Sequence, residues 1–198
     1  MAFIRTIAPA DAQGPVREMY EQVERSFGFV PNWAQAFSLR PEVRDGWAAL
    51  LRSIQGNLSQ RTYELATLAA ARAIRSSYCS LAHGSVLAKH VFDPATVTAI
   101  ATDTGRAPIE PRERAMMAFA EKVALNADHV TQVDVDALRA HGYRDEEIFD
   151  IAAAAAARCF FSKVLDALGV QADAVFHDLD PAMRAALTVG RPVAARPA

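Results

Sequence analysis

The chain has 198 residues and a formal net charge of −2, which suits one globular domain and excludes several classes of protein. Nucleic-acid-binding proteins usually carry a basic excess, and this chain has none. The longest uninterrupted apolar run, Ile151 to Ala157, is far shorter than the roughly 20 residues of a membrane span. The N-terminus lacks the basic patch and apolar stretch of a signal peptide, and two cysteines are too few for a disulfide framework. We therefore expect a cytoplasmic protein with neither nucleic-acid nor membrane partners.

Helix signals dominate the chain, and alanine, the best helix former, is strongly enriched. In chain order, the predicted helices cover Val16 to Ser26, a short stretch after Pro31, Pro41 to about Gly56, Ser59 to Ile74, Ser76 to about Val91, Asp93 to Ile100, Pro111 to Ala124, Thr131 to Gly142 and Arg144 to Leu168. No segment alternates apolar and polar residues over more than four positions, so no strand is predicted. The sequence therefore indicates an all-α helical bundle.

Two features bear on how this bundle is organised. The last predicted helix is small and apolar all round at its centre, which predicts that it is the buried hub. Residues 63–72 also echo residues 149–158, which is consistent with an internal helical-hairpin duplication. We expect residues 1–188 to form a single helical domain and residues 189–198 to form a flexible C-terminal tail without periodicity.

Cys79 and His83 form the pattern that carries most chemical information. They are four residues apart in a predicted helix, so their Cβ atoms are expected about 5–6 Å apart on one face. An imidazole can then accept the thiol proton, which leaves the nucleophilic thiolate. With Ser76 as the N-cap, Cys79 lies in the first turn, where the helix dipole favours negative charge. We expect a turn at residues 75–77 to bring Glu64, on the preceding helix, beside this pair.

Each of these residues also has a purely structural explanation. A lone buried cysteine is most often a small hydrophobic residue, and Cys159 in particular is expected to pack. His83 fits a satisfied core histidine, and Glu64 can pair with Arg61 one turn earlier on its own helix. A zinc site has less support, because Cys79 and His83 supply two ligands and no further motif completes a set of four.

The same stretch resembles the core motif of the AhpD-like alkylhydroperoxidase and carboxymuconolactone decarboxylase superfamily. That motif is a glutamate, a C-x-x-C pair and a histidine four residues after the second cysteine; here Glu64, Ser76, Cys79 and His83 stand at its positions. Residues 28–32 with 40–43, 134–148 and 165–170 are similar to the peroxidase-related branch of this superfamily. The resemblance covers about residues 25 to 172, and it implies an AhpD-like helical bundle that assembles into homo-oligomers, either trimers or hexamers.

The resemblance also implies roles for the motif residues. Cys79 would attack a small hydroperoxide and become a sulfenic acid, with His83 and Glu64 in a proton relay. Tyr78 and Cys159 are candidate supporting residues. Ser76 stands where the family has its resolving cysteine, and a hydroxyl cannot form a disulfide. Three alternatives follow: a one-cysteine peroxidase that an external thiol reduces, a peroxidase that Cys159 resolves, or a protein that is no longer an efficient peroxidase.

The leading hypothesis is a thiol-dependent hydroperoxide reductase. The sequence has no nicotinamide, flavin or haem motif, so we expect no cofactor and an external thiol reductant as electron donor. One alternative is a decarboxylase-type lyase that uses His83 and Glu64 on a small carboxylated lactone. The other is a non-catalytic oligomeric module that binds a ligand in the same pocket. Trp33 and Trp47 are expected to be exposed and to become buried between subunits.

Overall fold

The computed structural model describes residues 2–196, which form ten α-helices and no β-strand. The helices are α1 (Gly14–Phe27), α2 (Asn32–Ala36), α3 (Pro41–Gln55), α4 (Gln60–Ala73), α5 (Ser77–His90), α6 (Pro94–Thr102), α7 (Pro111–Asn126), α8 (Gln132–Ala140), α9 (Asp145–Ala167) and α10 (Pro181–Leu187). Short 3₁₀ turns lie at Pro9–Asp11, Phe37–Leu39, Ala127–His129 and Ala174–Asp178. The predicted all-α class is therefore confirmed.

Capping side chains set several of the helix starts. The hydroxyl of Ser59 accepts a hydrogen bond from a first-turn amide of α4, and Asp93 does the same for α6. The Thr131 cap and Asp134 form the reciprocal capping box that their spacing predicts. Helix α10 is not among the predicted helices. The helix nevertheless begins with an aspartate cap followed by a proline, the same signal that marks the start of α6. Asp180 is the cap, and its side chain accepts a hydrogen bond from the amide of Met183. A short helix with one turn of apolar periodicity is easily missed on pattern alone.

The buried hub of the bundle is α4, so the prediction that α9 has this place is wrong. Every residue of α4 from Tyr63 to Ala71 is buried, and α4 packs against α5, α7 and α9. Helix α9 instead has an outer face, where Phe149 is 71% exposed and Phe160 is 45% exposed. The alanines of α4 let three neighbours approach closely, and this arrangement depends on topology as well as on composition. The two echoing segments lie on α4 and α9, but α9 is followed by a 3₁₀ turn and not by a second long helix.

A tight turn joins α4 to α5 and sets the position of the second helix. Arg75 has φ +60°, and it is the one non-glycine residue of the described chain with positive φ. Residues with side chains seldom adopt this left-handed conformation, which costs about 1 kcal/mol or more. The turn ends at Ser76, the N-cap residue of α5. The chain thus reverses within three residues and places the first turn of α5 beside α4.

The C-terminal segment lies against this same turn. The Gly190 amide donates a hydrogen bond to Ser77 Oγ at 2.7 Å, and the Ala194 amide donates to the Ala172 carbonyl at 2.9 Å. Residues 197 and 198 of the predicted tail lie outside the described residues, and the flexibility of the tail stays a prediction. Among residues 2–196, no helix is both long and apolar enough to cross a membrane.

Two glycines inside helices are expected to respond in opposite ways to alanine. Alanine in a helix interior normally stabilises by roughly 0.5–1 kcal/mol relative to glycine, and Gly46 of α3 has open space around it. A Cβ on Gly84 of α5 would lie 2.5 Å from Cδ1 of the fully buried Leu187. Overpacking of this kind costs about 1–3 kcal/mol. We therefore expect Gly84→Ala to lower the free energy of unfolding in denaturant titrations and Gly46→Ala to raise it. Equal effects of the two substitutions would contradict the close α5–α10 packing.

Candidate functional site

Cys79 lies in the first turn of α5, third after the Ser76 N-cap, as the sequence predicts. Its side chain is 1% exposed and forms part of the floor of a cavity. Ser76 is fully buried, but its hydroxyl makes no capping hydrogen bond, so its predicted role as a cap holds for the backbone alone. The N-terminal end of a helix stabilises negative charge, which favours the ionised form of a sulfur placed there.

Glu64 and His83 form a hydrogen-bonded pair at the same end of the bundle. Glu64 Oε2 of α4 lies 2.5 Å from His83 Nδ1 of α5, so the Arg75 turn does bring these two predicted residues together. The alternative partner of Glu64 is engaged elsewhere, because Arg61 forms its ion pair with Glu113 of α7 at 2.5 Å. Both members of the Glu64–His83 pair are largely shielded from solvent. An ionised carboxylate can only accept, so Nδ1 carries the hydrogen and Nε2 has a free lone pair.

The electrostatics of the site favour neutral His83. Burial lowers the pKa of His83 below its usual 6.5, and the positive charge of Arg158 lowers it further. The carboxylate of Glu64 acts in the opposite direction but does not outweigh these two effects. Neutral imidazole is the form that can accept a proton at neutral pH.

Arg158, on α9, is a member of the site that sequence reasoning missed. Its Nη1 donates to Cys79 Sγ at 3.6 Å, and its Nη2 donates to the Tyr63 hydroxyl at 3.4 Å. Among the described residues no hydrogen bond joins Cys79 to His83, so the sulfur has the guanidinium as its partner where the sequence suggested the imidazole. The available signal was an arginine that directly follows seven apolar residues in a predicted buried helix, since such a charge needs a partner.

Tyr78, the neighbour of Cys79, holds two walls of the cavity together. Its hydroxyl donates to the Asp173 carboxylate and accepts from the Trp33 amide at 3.3 Å. Asp173 also accepts from the Asn32 amide at 2.8 Å, which ties the start of α2 to the segment after α9. Burial raises the pKa of Asp173, and burial together with the adjacent Asp173 raises the pKa of Tyr78 well above 10. These contacts fix the position of the chain beside Cys79.

The structure does not bring Cys159 into the site. It is half-buried on α9, with Sγ 3.9 Å from the Ala124 carbonyl of α7, and it does not line the cavity that Cys79 lines. Burial raises the pKa of its thiol, and both cysteines are free. Consecutive residues of a helix point in different directions. Since Arg158 points towards Cys79, the next residue, Cys159, points away from the cavity. Within residues 2–196, no group of three or more histidine, cysteine or acidic side chains is arranged to hold a metal ion.

The cavity that Cys79 lines has a volume of about 370 Å³, and eight of the residues around it are aromatic. This aromatic wall consists of Phe27, Phe29, Trp33, Trp47, Tyr63, Tyr78, Phe161 and Phe176. The expected exposure of Trp33 and Trp47 is wrong, because both are half-buried in this wall, with ring centroids 5.8 and 4.1 Å from that of Phe161. Cys79, His83 and Arg158 line the same cavity as these rings, so the site can hold an apolar molecule of several carbons close to the sulfur.

Solved structures share this architecture. The chain is similar to the AhpD-core, peroxidase-related protein from Ralstonia eutropha JMP134, with 29% identity and a TM-score of 0.80 over 88% of this chain and 94% of that one. A peroxidase-related protein from Silicibacter sp. TM1040 is 23% identical, with a TM-score of 0.77 over 87% and 94%. A cysteine-to-alanine variant of the debrominase Bmp8, in complex with 2,3,4-tribromopyrrole, is 19% identical, with a TM-score of 0.68 over 94% and 98%. No protein-family model and no curated protein matches the sequence.

Proposed function

We propose that this chain, which belongs to the peroxidase-related branch of the AhpD-like superfamily, is a thiol-dependent hydroperoxide reductase with Cys79 as its nucleophile. The observation that carries the proposal is the placement of Cys79. Its sulfur lies in the first turn of α5 and lines an apolar cavity, with a guanidinium 3.6 Å away, and the Glu64–His83 pair lines the same cavity. A buried cysteine with a purely structural role does not need such surroundings.

The first half-reaction transfers one oxygen atom. The sulfur of Cys79 attacks the terminal oxygen of the hydroperoxide, the S–O bond forms and the O–O bond breaks. The organic oxygen leaves with a proton as the alcohol, so that thiol and hydroperoxide become sulfenic acid and alcohol. His83 is placed to handle the proton, because its ring lines the cavity and its free Nε2 can accept.

The second half-reaction needs a thiol from outside the chain. Ser76 has no sulfur, and Cys159 faces α7, so neither supports an internal disulfide with Cys79. One molecule of external thiol condenses with the sulfenic acid to give a mixed disulfide and water. A second molecule then attacks this disulfide and releases Cys79 as the thiol. The one-cysteine cycle is thus the alternative that the structure favours.

Trapping the sulfenic acid tests the proposal directly. One equivalent of cumene hydroperoxide in the presence of dimedone is expected to place a single dimedone adduct on Cys79, located by peptide mass spectrometry. Cys159→Ser is the matched control and should label to the same extent. The proposal is wrong if Cys79 carries no adduct, or if wild type and Cys79→Ser consume the hydroperoxide at the same rate with an excess of thiol.

Debromination of an aromatic ring is a second candidate, and the aromatic wall of the cavity favours it. The similar debrominase Bmp8 was captured with 2,3,4-tribromopyrrole as a cysteine-to-alanine variant, and a planar aromatic ring of this size suits a cavity of about 370 Å³. At 19% identity the likeness itself shows the fold alone. Bromide release from this compound by the wild type but not by Cys79→Ser, without dimedone labelling after hydroperoxide, would favour this candidate.

A further inference from the structure

Arg158 is a buried cation without a carboxylate partner. It is 4% exposed, and among the described residues it takes part in no ion pair with an acidic side chain. Its Nε has no hydrogen-bond partner, and the rings of Trp47 and Phe161 lie 5.5 and 5.6 Å from Cζ. An isolated charge in such surroundings is costly, so buried charges are normally paired. The structure thus leaves a positive charge in need of an anion.

The acidic groups near Arg158 show which of them can serve as this anion. Burial raises the pKa of Tyr63, so its hydroxyl stays neutral at physiological pH. Glu64 has its carboxylate on His83. The remaining acidic group in contact with the guanidinium is the Cys79 sulfur, 3.6 Å from Nη1. Burial alone would lower the pKa of Arg158, but its contacts with Cys79 and Tyr63 raise it above the usual value, so the guanidinium remains charged.

We infer that Arg158 is the counter-ion of the Cys79 thiolate and holds the charge of the nucleophile before and after oxygen transfer. The inference builds on the proposed function, in which Cys79 is the nucleophile, but the ion pair itself can be tested without any peroxide. It also separates two tasks that the sequence alone assigns together to His83. Arg158 of α9 balances the charge on the Cys79 sulfur. His83 of α5 is therefore free to accept the substrate proton.

This division gives a balanced first step. The Cys79 thiolate attacks the terminal oxygen of the hydroperoxide while His83 Nε2 takes the proton of that oxygen and passes it to the departing oxygen. The S–O bond forms, the O–O bond breaks, and thiolate plus hydroperoxide become sulfenate plus alcohol. The net charge is the same on both sides, so Arg158 has an anionic partner throughout.

Arg158→Met tests the ion pair, since it removes the charge and keeps much of the side-chain volume. In a Cys159→Ser background, we expect alkylation of Cys79 by iodoacetamide at pH 7 to slow about 10- to 100-fold, because hydrogen bonds to charged groups contribute about 1.5–3 kcal/mol. The ultraviolet absorbance of the thiolate should fall in parallel. Arg158→Lys, which keeps the charge, should restore most of the rate. Arg72→Met, at an inner arginine that donates to the Ala186 carbonyl, is the control and should leave the rate unchanged.

The pH dependence separates charge pairing from a packing role. The deficit of Arg158→Met relative to wild type should become smaller as the pH is raised, because alkali ionises a thiol that lacks the guanidinium. A deficit of the same size at every pH, or no deficit at pH 7 in a folded variant, would overturn the inference. If Arg158→Met does not fold, Arg158→Gln is measured in the same way. Slow alkylation of the Arg158 variants together with no dimedone adduct in the wild type would support the ion pair and refute the peroxidase.

Discussion

Ser76→Cys is expected to convert the site into a two-cysteine centre. After one equivalent of hydroperoxide, this variant should end as an intramolecular disulfide between residues 76 and 79 in nearly every molecule. Ser76 is the N-cap of α5, three residues before Cys79, and its hydroxyl is buried without a hydrogen-bond partner. The substitution places a thiol at the position from which the C-x-x-C motif that this stretch resembles closes its disulfide. Intact mass and non-reducing peptide maps detect the loss of two hydrogens.

Ser80→Cys is the matched control for this experiment. Ser80 is also buried on α5, and its hydroxyl is also without a partner, but it directly follows Cys79 in the helix. Adjacent helical residues point in different directions, so a thiol at this position should not close onto the oxidised sulfur. A sulfenic acid on Cys79 that persists in Ser76→Cys, or a disulfide that forms equally in Ser80→Cys, would contradict the one-cysteine explanation of the natural sequence.

Local patterns predicted most of the helices and the approach of Glu64 to His83. The reason is that caps, spacing and the short α4–α5 turn act over a few residues, and the Glu64–His83 pair is only 19 residues apart. The ends of helices were less exact, as at α1, which begins at Gly14 and not at Val16. Even the capping prediction at Ser76 was right for the backbone and wrong for the side chain.

Contacts between distant segments could not be predicted in this way. Arg158 reaches Cys79 across 79 residues, and Tyr78 meets Asp173 across 95. The spacing of apolar residues in the sequence does not predict such a pairing, because the pairing depends on how α9 and the segment after it pack on the rest of the bundle. For the same reason the apolar composition of α9 wrongly predicts that it is the hub, which is α4, and the sequence does not predict that Trp33 and Trp47 line the cavity.

His83→Ala is expected to slow the oxidation of Cys79 by hydroperoxide about 10²-fold or more, the usual range for losing a general acid–base group. The alkylation of Cys79 by iodoacetamide should change much less, because it needs no proton transfer to a leaving oxygen and Arg158 still faces the sulfur. Stopped-flow oxidation and alkylation rates on the same preparation give the comparison. An equal loss in both reactions would mean that His83 acts on the sulfur itself, as the sequence alone suggests.

The titration of the His83 ring gives an independent check on its surroundings. Its pKa lies below the usual 6.5, so the neutral imidazole persists to lower pH. Glu64→Gln removes the charge that raises this pKa, so it should lower the titration midpoint that NMR measures on the His83 ring. Arg158→Gln removes a charge that lowers the pKa, so it should raise the midpoint. Glu21→Gln, in an exposed ion pair with Arg17, should leave the midpoint in place. Because the signal belongs to the His83 ring, a change in the ionisation of Cys79 is not mistaken for it, and shifts of the same sign in the two site variants would contradict the opposite effects of Glu64 and Arg158.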